Sequence, residues 1–82
     1  MMNGLQLTII SPEKELFRGE VQRITLPGVK GSFTILPRHA PVVSSLSAGK
    51  ITYVKANGTE ETREINGGFV EMNNNEASVC VN

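Results

Sequence analysis

Apolar and polar residues alternate along this chain with a period of two, and no segment sustains the 3.6-residue period of a helix. Leu5, Leu7 and Ile9 alternate with Gln6 and Thr8, which predicts a strand with one face buried. Ser11-Pro12 ends it, because proline has no amide hydrogen to contribute to a ladder. Leu16-Phe17 reads as a short apolar piece closed by Gly19. Glu20 to Leu26 follows, with Ile24 and Leu26 on one face and Arg23 and Thr25 on the other. Pro27-Gly28-Val29-Lys30-Gly31 is a turn, its glycines permitting backbone angles that other residues avoid. Ser32 to Leu36 places Phe33 and Ile35 on one face of a further strand. Pro37-Arg38-His39-Ala40-Pro41 is a corner pinned by proline at both ends, and Val42 to Leu46 is short and apolar.

Gly49 opens a strand that sets Ile51 and Tyr53 against Thr52 and Val54. Asn57-Gly58 predicts a type I′ hairpin turn, since both residues tolerate positive φ. The turn joins Lys50–Lys55 to a polar strand, Glu60–Ile65, whose charges suit an exposed edge or face. Gly67-Gly68 breaks that strand before Phe69–Met72. Asn73-Asn74-Asn75 forms the last turn, and Ala77, Val79 and Val81 alternate through the final strand. Short strands separated by frequent turns predict an all-β fold, an antiparallel sandwich or barrel. No linker or repeat divides residues 1–82, so a single domain is expected.

The chain has 82 residues, with eight Lys plus Arg, eight Glu and no Asp, so its formal charge is zero. That balance argues against long-range attraction to nucleic acid or to anionic lipid. A domain of this size buries only roughly two-thirds of its unfolded surface, so stabilisation by a partner is expected. The single cysteine, Cys80, rules out an intramolecular disulfide and suits a reducing compartment. No basic leader with an apolar run is visible at Met1-Met2-Asn3, and no apolar stretch approaches the ~20 residues of a membrane helix. A soluble protein without direct membrane insertion is expected.

Catalytic chemistry finds little support. The only histidine, His39, lies near Ser44, Ser45 and Ser47, but a nucleophilic triad also needs an orienting carboxylate beside them. One His, one Cys and no Asp are a poor zinc set. Gly28-Val29-Lys30-Gly31-Ser32 superficially looks like a phosphate loop, yet strands flank it where a helix should open. The glycine loop of RNA-binding KH domains likewise needs helices. Glu60, Glu61 and Glu64 share one polar strand, where a solvated face accounts for them. Neither an active site nor a cofactor is expected. The unusual feature is Leu36 to Leu46, where Pro37 and Pro41 rigidify a run carrying Arg38, His39, Ala40, Val42, Val43 and Leu46. Poor alternation there leaves interface and core equally open as explanations.

Leu16-Phe17-Arg18-Gly19-Glu20-Val21, then Pro27-Gly28-Val29-Lys30-Gly31-Ser32-Phe33-Thr34-Ile35-Leu36-Pro37-Arg38-His39-Ala40-Pro41, resembles the amino-terminal domain of bacterial ATP synthase epsilon subunits. Ile65-Asn66-Gly67-Gly68-Phe69-Val70-Glu71 fits the same family's glycine-pair strand. The resemblance implies two packed five-stranded antiparallel sheets, and a non-catalytic rotor part of the F1 sector's central stalk. Its partners would be the gamma subunit and the ring of membrane c subunits, on the cytoplasmic side of a bacterial inner membrane. By the same resemblance, Val29, Lys30, Gly31 and Ser32 would approach the ring. His39, Ala40, Val42, Val43, Gly49 and Lys50 would face gamma. Relatives often carry an acidic residue where this chain has Ser32, so no charge pairing with the ring carries over. Most relatives continue into a carboxy-terminal helical hairpin beyond the position of Asn82, which bears the family's inhibitory movement and, in some members, an ATP site. Without it, no ATP binding is expected. A generic β-sandwich binding module fits less well, because Phe33 and Tyr53 fall on apolar faces and tryptophan is absent. A small hydrolase fits less well still.

Overall fold

A computed structural model describes residues 4–82. Eight strands fill it: β1 (Leu5–Ile10), β2 (Glu15–Gly28), β3 (Gly31–Ile35), β4 (Val42–Leu46), β5 (Gly49–Lys55), β6 (Glu60–Ile65), β7 (Gly68–Asn73) and β8 (Glu76–Val81). Hydrogen-bonded neighbours run β1-β8-β7-β4-β2-β5-β6, with β3 on β2 and β1 returning to β2. The first layer is therefore β4, β7, β8, β1 and the first half of β2. The second is β3, the remainder of β2, β5 and β6.

The alternation read from the sequence is what fills the core. Leu5, Leu7 and Ile9 of β1 are fully buried, as are Ile24 and Leu26 of β2, Ile51 of β5 and Val79 of β8. Every strand contributes at least one side chain to a single apolar cluster. Each fully buried Leu or Ile stabilises such a core by ~1.5–3 kcal/mol relative to exposure. Polar and charged residues are absent from the fully buried set among the described residues.

Two details depart from two five-stranded antiparallel sheets. The second layer has four strands, and β2 is shared between the two layers. Its fourteen residues also overturn the break expected at Gly19. Gly19 pairs with Leu7 in mid-ladder, and a side chain there would meet the Phe17 ring at 3.2 Å, so the glycine makes room for an aromatic. The strand turns the corner at Gln22 instead, where the β2–β5 register shifts between Val21 and Arg23. This bulge leaves Gln22 and Arg23 both exposed while Val21 and Ile24 are both buried, which strict alternation forbids. The second departure is that β1 and β8 pair in parallel, Leu7 beside Ala77. Only strands joined by a short turn must run antiparallel; these are separated by the whole intervening chain.

The turns exchange roles relative to expectation. At Asn57-Gly58 only Gly58 has positive φ (89°), and Lys55 and Thr59 close a three-residue loop through Lys55 N donating to Thr59 O at 2.8 Å. That is a turn followed by a left-handed glycine, not type I′. The type I′ signature falls on Asn74 (52°) and Asn75 (61°), two consecutive positive-φ residues between the paired Asn73 and Glu76.

Candidate functional site

The β2–β3 hairpin keeps its ladder to Gly28 and Gly31, so its tip is just Val29 and Lys30. Gly31 sits at φ 130° and Gly28 has no room for a Cβ, which would meet Gly31 O at 2.7 Å. Two glycines thus let an ordinary valine and lysine occupy a tight, exposed tip. Val29 N donates to Ser45 O at 3.1 Å and Ser47 N to Pro27 O at 2.8 Å, docking the hairpin onto the end of β4.

Between tip and strand lies an open cleft of about 570 Å³, lined by Gly28 to Phe33 and by Val43 to Ser45. Val29 is 59% exposed and Val43 73%, the largest exposures among the large hydrophobic residues described. Val29, Lys30, Gly31 and Ser32 therefore share one surface with Val43. The other residues expected to face gamma are spread more widely. His39 and Ala40 are exposed on the corner. Lys50 is exposed at the start of β5, opposite Glu64. Val42 packs partly on the core, and Gly49 lies under the Pro27 ring, where a Cβ would stand 3.0 Å away. These two shape backbone more than they offer surface.

The corner is held from a distance. His39 N donates to Leu36 O at 3.2 Å, closing a turn with Pro37 second and Arg38 third at φ 61°, a position that favours glycine. Arg38 N donates to Asn75 Oδ1 at 2.7 Å, and Asn75 Nδ2 donates to Gly4 O at 2.9 Å. The β7–β8 turn thereby clamps both the corner and the start of β1. His39 Nδ1 donates to Ala40 O at 2.7 Å. Leu36, 54% exposed, extends the apolar surface at the corner.

A second apolar patch escaped the sequence reading. Cys80 is the cross-strand neighbour of both Ile10 and Phe69, which are 38% and 46% exposed. Alternation would have found it, since Phe69 must oppose the buried Val70 and Met72. No group of three or more His, Cys, Asp or Glu could hold a metal ion among the described residues.

Comparison with known proteins agrees with this architecture. The family described as ATP synthase, Delta/Epsilon chain, beta-sandwich domain matches residues 4–82. The ATP synthase epsilon chain of Wolinella succinogenes is 43% identical over 72 residues, covering 88% of this chain and 55% of that one. That of Caulobacter vibrioides is 41% identical over 71 residues, covering 87% and 81%. This chain thus spans little more than half the length of the Wolinella relative. Among solved structures, a chain of the Euglena gracilis mitochondrial ATP synthase, in an assembly of OSCP, F1 and c-ring, superposes with a TM-score of 0.90. It is 22% identical, covering 96% of this chain and 51% of that one, and shows the shared fold. The chain belongs to the delta/epsilon family of ATP synthase subunits and comprises its β-sandwich domain.

Proposed function

We propose that this domain is a non-catalytic part of an ATP synthase rotor, seating the gamma subunit on the ring of c subunits. Its place would be the central stalk, peripheral to the cytoplasmic face of a bacterial inner membrane. The observation that carries the reading is the pairing of Val29 with Val43 across the cleft, two exposed valines on a rigid frame. Apolar side chains left this open at a pinned backbone lower the ordering cost of docking. Membership of the delta/epsilon family supports the choice of these partners. In this reading the hairpin tip, Val29 to Ser32, meets the polar loops of the ring. Val43, with His39, Ala40 and Lys50, meets gamma, and Val42 and Gly49 support that surface from beneath. The two contacts adjoin, so one small domain can bind both at once. A permanent complex of this kind buries on the order of 1,200–2,000 Å².

Replacing Val43 with Glu tests the gamma contact, because a charge forced into an apolar interface without a partner is costly. Co-purification with tagged gamma is expected to fall about tenfold or more, since 1.4 kcal/mol corresponds to a factor of ten. Equal recovery of parent and variant would place gamma elsewhere. Val29→Asp should leave gamma binding intact and weaken attachment of the gamma–epsilon pair to isolated c-ring.

A further inference from the structure

Three described residues other than glycine have positive φ: Arg38 at 61°, Asn74 at 52° and Asn75 at 61°. Asparagine enters this region readily, because its short side chain bonds the local backbone. Arginine does not, and its Cβ disfavours the conformation on the order of tenfold. Arg38 stands third in the turn that His39 N closes on Leu36 O at 3.2 Å, with Pro37 second. A turn with proline second and positive φ third is where glycine belongs.

The framework asks nothing of the arginine side chain. Arg38 N donates to Asn75 Oδ1 at 2.7 Å, a bond that a glycine N–H would make equally well. Pro37 fixes its own φ. Asn75 is itself pinned, its Nδ2 donating to Gly4 O at 2.9 Å and its carbonyl accepting from Gln6 N at 3.1 Å. The Arg38 side chain is exposed and joins no ion pair among the described residues. Backbone strain that serves no internal side-chain contact points to a role outside the molecule.

The neighbourhood says what kind of role. Leu36 and Ala40, two residues to either side, are exposed and apolar, and such surroundings exclude water from an interface arginine. From Val21 to Thr59 the sequence has no acidic residue, so this stretch of chain brings no carboxylate of its own. His39 and Ala40, which follow directly, belong to the surface assigned to gamma.

We propose that Arg38 is a specificity residue of the gamma-facing surface, its guanidinium pairing with a carboxylate of the gamma subunit. The inference rests on the rotor reading and adds the chemistry of the contact. A planar fork of donors takes a carboxylate through two parallel bonds, which a lysine does not copy. The clamped backbone fixes where the side chain starts, so less freedom is lost when it pairs.

Arg38→Gly separates strain from contact, because the two respond with opposite signs. In the 82-residue chain it should raise the thermal midpoint by about 4 °C, since glycine adopts the turn without strain. The same variant should co-purify with tagged gamma about tenfold less well. A residue of the framework would instead lower both. Arg38→Glu should bind gamma about a further tenfold more weakly, because like charges then meet. Arg38→Lys keeps the backbone strain, so the midpoint should stay and gamma recovery should fall between parent and Arg38→Gly. Undiminished gamma recovery with Arg38→Gly, a lowered midpoint, or equal recovery of Arg38→Gly and Arg38→Glu would each overturn the proposal. Val43→Glu keeps the two readings apart. If it loses gamma while Arg38→Gly does not, the surface stands and the arginine contact falls. If neither variant loses gamma, both readings fall.

Discussion

The β5–β6 hairpin and the β3–β4 end belong to one small domain, yet they treat their polar groups in opposite ways. On the hairpin, Thr52, Tyr53, Lys55, Glu61 and Thr62 find partners inside the molecule. Tyr53 lies 1% exposed against Phe17, ring centroids 4.7 Å apart, and its hydroxyl donates to Glu61 at 3.0 Å. Lys55 closes on the same carboxylate at 3.0 Å, and Thr52 and Thr62 meet at 3.3 Å. Arg63 Nε of β6 is the exception on this hairpin, a buried donor without a partner. At the β3–β4 end, Val29, Leu36 and Val43 are exposed and Lys30 and Arg38 stand unpaired. The internal network around Tyr53 marks one region as framework, and exposed apolar side chains mark the other as surface open to a partner.

The largest expected break in this contrast is Tyr53→Ala. It removes a buried aromatic and should cost about 3–5 kcal/mol, measured by denaturant unfolding. Tyr53→Phe keeps the ring and should lose about 1 kcal/mol, separating packing from the hydrogen bond. Next comes Asn75→Ala, which frees Arg38 N and Gly4 O and should cost about 1–2 kcal/mol. The exchange rate of the Arg38 amide should rise with it. If stability fell while Arg38 stayed protected, the clamp on the corner would be wrongly described.

Val43→Ala is expected to change stability by no more than about 0.5 kcal/mol, as exposed substitutions do, although it lies in a strand. A loss comparable to that of Asn75→Ala would make Val43 framework and erase the contrast. The smallest effect is titration. Lys55 and the Tyr53 hydroxyl hold the Glu61 carboxyl below its usual value. A depressed carboxylate pKa contributes stability that is present above pH ~4.5 and lost as pH falls through the lower folded value. Burial pushes Tyr53 upward, so its contribution is present below pH ~10 and lost as pH rises above that. Lys55→Met should flatten the acid limb, read as unfolding midpoint against pH, and leave the alkaline limb unchanged.

Much of the framework was legible along the chain, because a half-buried strand writes its burial into every second residue. Leu5, Leu7 and Ile9, or Val70 and Met72, can be assigned to the interior from alternation alone. The Val42 to Leu46 run cannot, since it pairs on β7 along its length but reaches β2 only at Leu46. Its burial therefore depends on where the β2–β3 hairpin ends, a distant fact. The structure divides that run: Leu46 is core, Val42 half-core and Val43 surface. Turn chemistry was legible in position but not in type. Asn57-Gly58 and Asn74-Asn75 can both accept positive φ, and the loop length that fits each pair of registered strands makes the choice.

Sequence alone determined the all-β class, most of the inward faces and the zero formal charge, because these follow from side-chain period and composition, which are local. Tertiary structure decided that β2 spans both layers, that β1 and β8 run parallel, that Asn75 holds Arg38, and that Val29 faces the same cleft as Val43. Each of these joins residues far apart in the chain. Their pairing depends on how two sheets close over one core, and no window of neighbouring residues contains that constraint.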